Sequence, residues 1–291
     1  MQGRRDPRAT ETVAFVRDAL GAVPVAWRFR ARAHGPGWLA RVRLSDGREA
    51  ILKRCGRRDA YRRERDAYRH LAAERLGGTP RVLASDDVRG TLLLEARPGT
   101  TDLPADHPHA SAVHEAAGRW LARLHRARPF GHDPLPLQDA YRLRADRGLA
   151  RAAGAVAAAD LARVRALLDA ALPRLHGARR VPCQRDHAPR NWLVADGRLR
   201  AVIDFEHARD DLAEADLVPL AREVWSERPH LRAAFLGGYH ARGGPADPDA
   251  AWMTALIALD AVSTVAWAVR HGDDEVEAVG RRALVRALAS R

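Results

Sequence analysis

The sequence predicts an α+β chain in two lobes: a small antiparallel sheet with one helix over residues 1–96, then a mostly helical half over 97–291. Three observations point there. Short alternating apolar runs separated by turn residues fill the first hundred residues, as half-buried strands require. From Ala110 onward the apolar residues recur at helical spacing over long stretches. At 291 residues the chain is long enough to divide into two lobes.

Taken in order, Thr10 to Leu20 has a helical period at Val13, Val16 and Leu20, and the first ten or so residues before it are expected to be disordered. Val25 to Arg32 and Leu39 to Leu44 read as strands flanking His34-Gly35-Pro36-Gly37. Asp46-Gly47 is a hairpin turn leading into the strand Glu49 to Arg54. Ala60 to Leu71 is helical, and Arg81 to Ser85 and Thr91 to Glu95 are further strands. Pro98-Gly99, Pro104 and Pro108 mark a loop. Helices are expected over 110–125, 137–152 and 160–175, and again over 213–226, 229–238, 249–270 and 274–290. Between these two groups, 180–184, 192–195 and 199–203 read as short strands, with Asp196-Gly197 as a hairpin turn.

Lys53 is the only lysine; the other 48 of the 49 basic side chains are arginine. A compact ammonium and a planar fork are not interchangeable at a tight site, so a lysine kept in such a chain marks a position that needs the ammonium. It ends the apolar run Ala50-Ile51-Leu52, and Glu64 follows eleven residues later in a helical stretch. A strand lysine paired with a helix glutamate is a phosphate-holding device. Further on, Cys183-Gln184-Arg185-Asp186-His187-Ala188-Pro189-Arg190-Asn191 has Asp186 and Asn191 at the D-x-x-x-x-N spacing, and Asp204 follows a short apolar strand in Val202-Ile203-Asp204-Phe205-Glu206. In phosphoryl transfer such an Asp takes the acceptor's proton, while the Asn and the later Asp hold metal ions at the phosphates. Hard oxygen donors of this kind suit Mg²⁺.

In the order Lys53, Glu64, Asp186, Asn191, Asp204, the chain resembles the aminoglycoside phosphotransferase and choline kinase-like family of small-molecule kinases, from about Val25 to about Trp225. That family usually shows His-Gly-Asp where this chain has Gln184-Arg185-Asp186, whereas Asp204-Phe205-Glu206 matches. The resemblance implies a two-lobed, protein kinase-like fold. It also implies a γ-phosphoryl transfer from ATP or GTP, with Mg²⁺, to a hydroxyl of a small molecule. An antibiotic of aminoglycoside or nucleoside type, inactivated as resistance, is the leading acceptor; choline, an amino alcohol or a sugar is the alternative, and a pseudokinase scaffold a third reading. The implied nucleotide side comprises Lys53, Glu64, the turn with His34, Gly35 and Gly37, and the interlobe stretch with Glu95 and Arg97. Asp186 is the implied base, Asn191 and Asp204 the metal ligands, and Asp216 a brace for the loop.

The acceptor side is read from charge. Residues 204–227 carry eight carboxylates against Arg209 and Arg222. That density suits a cationic acceptor through electrostatic focusing. Glu206, Glu223 and Asp260, with Trp225 and Trp267 as stacking surfaces, are the candidate contacts. Glu206 stands equally as a second metal ligand or a brace.

The net charge of +12 is concentrated in residues 1–96, with 21 basic and 12 acidic side chains, densest between Arg54 and Arg69. No nucleic-acid-binding motif accompanies it, so it reads as a solvated arginine-rich face. Two distant cysteines give no disulfide framework and fit a reducing compartment. The sequence shows no signal-peptide pattern and no run near the ~20 apolar residues of a membrane span. The expectation is a cytoplasmic monomer or weak dimer.

Overall fold

A computed structural model describes residues 7–31, 37–101, 103–131, 135–244 and 250–289. The elements run α1 (Pro7–Leu20), β1 (Pro24–Ala31), β2 (Trp38–Leu44), β3 (Glu49–Arg54), α2 (Arg58–Ala73), β4 (Val82–Asp86), β5 (Thr91–Glu95), α3 (Ala110–His125), α4 (Leu137–Ala152), α5 (Ala158–Ala171), β6 (Val181–Cys183), β7 (Trp192–Ala195), β8 (Arg198–Val202), β9 (Arg209–Asp211), α6 (Val218–Leu220), α7 (Pro229–His240), α8 (Ala250–His271) and α9 (Asp274–Ala289). Helix α1 begins at Pro7, inside the stretch expected to be disordered, with proline at the position where its missing N–H costs nothing.

Two compact units are formed, one within Met1–Thr101 and Asn191–Ala208, the other within Asp102–Arg190 and Arg209–Arg291. This differs from a single boundary at 96/97. The reason is local: Thr100 and Val194 exchange backbone hydrogen bonds at 3.0 and 2.8 Å, and Val202 N donates to Gly78 O at 2.8 Å. The β7–β8 hairpin is thereby tied to the first unit. At Gly99 (φ +115°) a Cβ would lie 2.6 Å from Val194 O, so this tie requires glycine.

In the first unit an antiparallel sheet has the order β1-β2-β3-β5-β4. Alternation along β2 buries Ala40, Val42 and Leu44 with Val16 of α1 and with Ala50, Leu52 and Leu93. The turn at Asp46-Gly47 closes with Gly47 at φ +82°. Helix α2 packs on β4 and β5 through Ala60, Tyr61, Glu64, Ala67, Tyr68 and Leu71. That is a helical stripe with one carboxylate set in it. The β7–β8 turn has Asp196 and Gly197 both at positive φ, the type I′ geometry.

In the second unit α3 and α7 approach so closely that a Cβ at Gly118 would lie 2.1 Å from Phe235 O, and one at Gly238 2.0 Å from Glu115 O. Helix α8 packs against α4, α5 and α9. By length and apolar content alone α8 would pass as a membrane span, contrary to the expectation that no run is long enough; most of it is buried inside this unit. The expected helix over 213–226 is broken into a 3₁₀ turn (Ala213–Asp216), α6 and a π-helical turn (Ala221–Trp225). Pro219, which cannot donate a backbone hydrogen bond, sits in the middle of it. The expected 160–175 helix ends as a 3₁₀ turn from Leu172. Strand β9 was not foreseen: Arg209-Asp210-Asp211 has no apolar residue, yet it pairs with β6.

Candidate active site

Strand β3 turns Lys53 into the protein, where it is 4 % exposed, and α2 brings Glu64, 0 % exposed, against it. Lys53 Nζ donates to Glu64 Oε1 at 2.8 Å and to Asp204 Oδ1 at 2.7 Å, and lies 4.0 Å from Glu206 Oε2. All four residues belong to the first unit. Burial pushes the Glu64 carboxyl above its ordinary value, opposed by the Lys53 ammonium and reinforced by the Asp204 and Glu206 charges. One ammonium faces three carboxylates whose oxygens lie within 4.8 Å of one another. Such a set of hard oxygens, in excess of its own cation, is fitted to a divalent ion.

The chain beyond β8 is fixed to present this group. Asp204 adopts a left-handed backbone (φ 64°), which aspartate tolerates better than most residues. Its N–H donates to Tyr68 Oη at 3.2 Å, and Arg63 Nε donates to Glu206 O at 2.8 Å. Ile203 N donates to Asn191 O at 2.9 Å, so the ladder of β7 and β8 sets Asn191 beside the Ile203-Asp204 step. Asn191 is 6 % exposed.

The loop after β6 lies in the second unit up to Arg190. Asp216, fully buried, accepts hydrogen bonds from Gln184 N at 3.0 Å and from Arg185 N. Its Oδ2 is also 3.0 Å from His125 Nε2, and His125 Nδ1 is 2.6 Å from Tyr239 Oη. Asp216 is therefore a brace, as the family pattern implied. Gln184 Oε1 accepts from His187 Nδ1 at 2.8 Å, and the His187 ring stacks on Trp120. Burial pushes the His187 imidazole down to about 3. His187 is thus a packed, neutral support behind Asp186.

Arg185 stands where the family usually has glycine, and it carries the backbone that explains that glycine, φ 67°. Its buried guanidinium is 2.9 Å from Asp211 Oδ2, and Tyr141 Oη donates to Asp211 Oδ1 at 2.6 Å. The neighbouring Asp210 accepts from the backbone N–H groups of Phe130 and Gly131 at 2.7 and 2.6 Å. These bonds account for β9: its acids are held inside by named donors.

Asp186 is paired with Arg190 Nη2, and Arg190 Nη1 donates to Glu223 Oε2. Glu223 Oε1 accepts from Arg222 Nη2 at 2.5 Å, while Arg222 Nη1 reaches Asp260 Oδ2 at 2.5 Å and Thr264 Oγ1 at 2.7 Å. The result is a strip of alternating charge, Asp186, Arg190, Glu223, Arg222, Asp260. Sequence reasoning missed Arg190; its signal was its place directly before Asn191.

The expected acidic face is corrected by these partners. Asp210, Asp211 and Asp216 are buried and hydrogen-bonded, and Glu223 and Asp260 are matched to arginines, so the segment's charge does not face a ligand as a block of carboxylates. Glu206 stands with Lys53 and Asp204 in the first unit. Trp225 is buried against Phe235 and is core. Trp267 is 39 % exposed and stacks on His271. Glu95 binds Arg81 and Arg97 through its carboxylate, and its backbone N–H donates to Arg81 O at 2.9 Å. Gly37 is buried immediately before β2; His34 and Gly35 lie outside the described residues. Part of the arginine-rich face is self-matched: Arg57 and Arg63 pair with Asp59, and Arg65 with Asp66 and Asp87.

A family model, the phosphotransferase enzyme family, matches residues 30–256. No functionally curated sequence matches the chain. Among solved structures, it is similar to the macrolide 2′-phosphotransferase MphH of Brachybacterium faecium, at 21 % identity and TM-score 0.66, covering 98 % of this chain and 99 % of that one. It is similar to a thermostable mutant of aminoglycoside phosphotransferase APH(4)-Ia at 17 % identity and TM-score 0.72, covering 96 % and 98 %. A provisionally named fructosamine-3-kinase from Thermobifida fusca is 23 % identical at TM-score 0.67, covering 94 % and 98 %. At these identities the likeness is one of fold.

Proposed function

Since the chain belongs to the phosphotransferase enzyme family, we propose that it moves the γ-phosphoryl of ATP or GTP to a hydroxyl of a small molecule. The observation that carries this reading is the buried Lys53 ammonium held by Glu64 and Asp204. An ammonium so held is a fixed point charge for the nucleotide's phosphates. Asn191, Asp204 and Glu206 offer the oxygens for Mg²⁺, which when bound neutralises charge on the phosphate oxygens. Asp186 orients the acceptor hydroxyl and takes its proton. The hydroxyl oxygen forms the new bond to the γ-phosphorus as the bond to the β–γ bridging oxygen breaks and the nucleoside diphosphate leaves.

The leading acceptor is an antibiotic, inactivated by the transfer. APH(4)-Ia has been solved with ADP and hygromycin B, which supports an antibiotic-and-nucleotide pairing on this fold. A sugar or other metabolite acceptor is the second reading. It is favoured by the arginine-matched carboxylates Glu223 and Asp260, which offer no unmatched negative field to a polycation. An acceptor screen by mass spectrometry, reading the gain of one phosphate with ATP and Mg²⁺, tests the activity. No gain with any hydroxyl compound, together with no nucleotide binding, would sink the proposal.

A further inference from the structure

Arg190 is poised at Asp186 with capacity to spare. A guanidinium has five N–H donors. Two are used, on Asp186 Oδ1 and Glu223 Oε2, and the other three have no protein partner among the described residues. The side chain is 44 % exposed. Glu223, the carboxylate that would welcome an incoming ammonium, is already held by Arg190 and Arg222 together. Beyond it Arg222 is committed to Asp260 and Thr264. What remains to be answered beside the base is therefore the spare N–H capacity of Arg190, in a region whose sequence reads as acidic.

We propose that Arg190 is a specificity-determining residue. It selects acceptors that carry an oxygen group, neutral or anionic, on the carbon next to the reacting hydroxyl, and it rejects those with an ammonium there. The inference rests on the reading that Asp186 receives the acceptor hydroxyl. A hydroxyl donating to Asp186 brings its neighbouring substituent to the exposed edge of the guanidinium. A carboxylate or second hydroxyl there accepts from the fork. An ammonium has only donors, and meets a guanidinium that also has only donors, so it gains no bond and suffers like-charge repulsion.

The test uses the full chain with ATP, Mg²⁺ and three rings of similar size as probes, each with one hydroxyl and one group on the next carbon: 2-hydroxycyclohexanecarboxylate, cyclohexane-1,2-diol and 2-aminocyclohexanol. The readout is kcat/KM for the gain of one phosphate. The hydroxy acid and the diol should exceed 2-aminocyclohexanol by about tenfold or more, the scale on which a polar contact discriminates. Arg190→Met should collapse the ranking to within about threefold. Arg190→Lys should restore rejection of the amine but not the full preference for the hydroxy acid, because it keeps the charge and loses the fork. Glu223→Gln, which keeps the guanidinium, should keep the ranking, and it carries the test if Arg190→Met melts too early to assay. Equal or better use of 2-aminocyclohexanol by the parent, an unchanged ranking in Arg190→Met, or turnover of no probe by a chain that hydrolyses ATP would each overturn the proposal. Asp186→Ala separates the two readings. If the parent prefers the amine while Asp186→Ala loses all transfer, only the role of Arg190 falls; if the ranking holds and survives in Asp186→Ala, the base assignment falls.

Discussion

The Lys53 group and the Asp186 strip treat charge in opposite ways. In the first unit one nearly buried ammonium is surrounded by three carboxylates, leaving an acidic excess in a dry setting. In the second unit three acids alternate with two arginines along a partly exposed strip, from Asp186 to Asp260. The first arrangement is fitted to capture cations with phosphates. In the second every acid already has an arginine partner before anything binds, so discrimination there falls to hydrogen-bond geometry rather than to unpaired charge. Exposed pairs of that kind contribute little to stability and are screened by salt, whereas the buried pair is shielded.

The sharpest way to break this contrast is Asp186→Ala. Loss of a base lowers transfer by roughly 10²–10⁴. Nucleotide affinity, by equilibrium titration, should stay close to the parent's because the Lys53 group is untouched. Activity within a factor of two of the parent would remove Asp186 from the mechanism.

On the other side of the comparison, Lys53→Arg keeps the charge and changes the shape. A fork needs room that the contacts to Glu64 and Asp204 do not leave, so turnover should fall about a hundredfold, comparable to losing one electrostatic donor. A fully active variant would mean that the single lysine is accidental.

Acid should separate the two regions through their histidines. His187 and His114, both in the second unit, are pushed by burial down to about 3 and about 4 from the ordinary 6.5. Below pH 6.5 the unfolded chain binds protons that the folded chain refuses. Stability is thus fully present above about 6.5 and declines as pH falls toward those depressed values. Melting temperatures between pH 7.5 and 5 should drop, and His187→Phe should flatten the slope. An unaltered slope in that variant would mean that His187 is protonated where it packs.

A smaller effect is expected for Gln184→Leu, which strands the His187 Nδ1–H in the core. A buried unsatisfied donor costs about 1–3 kcal/mol, measurable by chemical denaturation. Smallest of all, Trp267→Ala should leave the acceptor's KM within a factor of two, since its ring is already stacked on His271. A larger rise would return Trp267 to the acceptor site.

Much of the first unit was legible because strands and their turns are local: the β3 and β5 boundaries, the Asp46-Gly47 turn and the Lys53–Glu64 pair all follow from alternation and spacing. Asp216 as a brace came from family pattern, and its bonds to Gln184 and Arg185 give the physical reason. The acceptor side was misread because a count of carboxylates says nothing about what each one touches. Asp211 meets Arg185 from 26 residues earlier, and Asp260 meets Arg222 from 38 residues earlier. Strand β9 stayed hidden for the same reason, its polar residues being buried by partners remote in sequence.

The solitary Lys53 has a practical consequence for chemistry on this protein. Apart from the chain's α-amine, it supplies the single primary amine available to acylating reagents. Its nitrogen is reactive only after shedding a proton and the grip of Glu64 and Asp204. Besides the α-amine, an amine-selective probe therefore tags one side chain, and the pace of tagging there becomes a clock for how often that address opens.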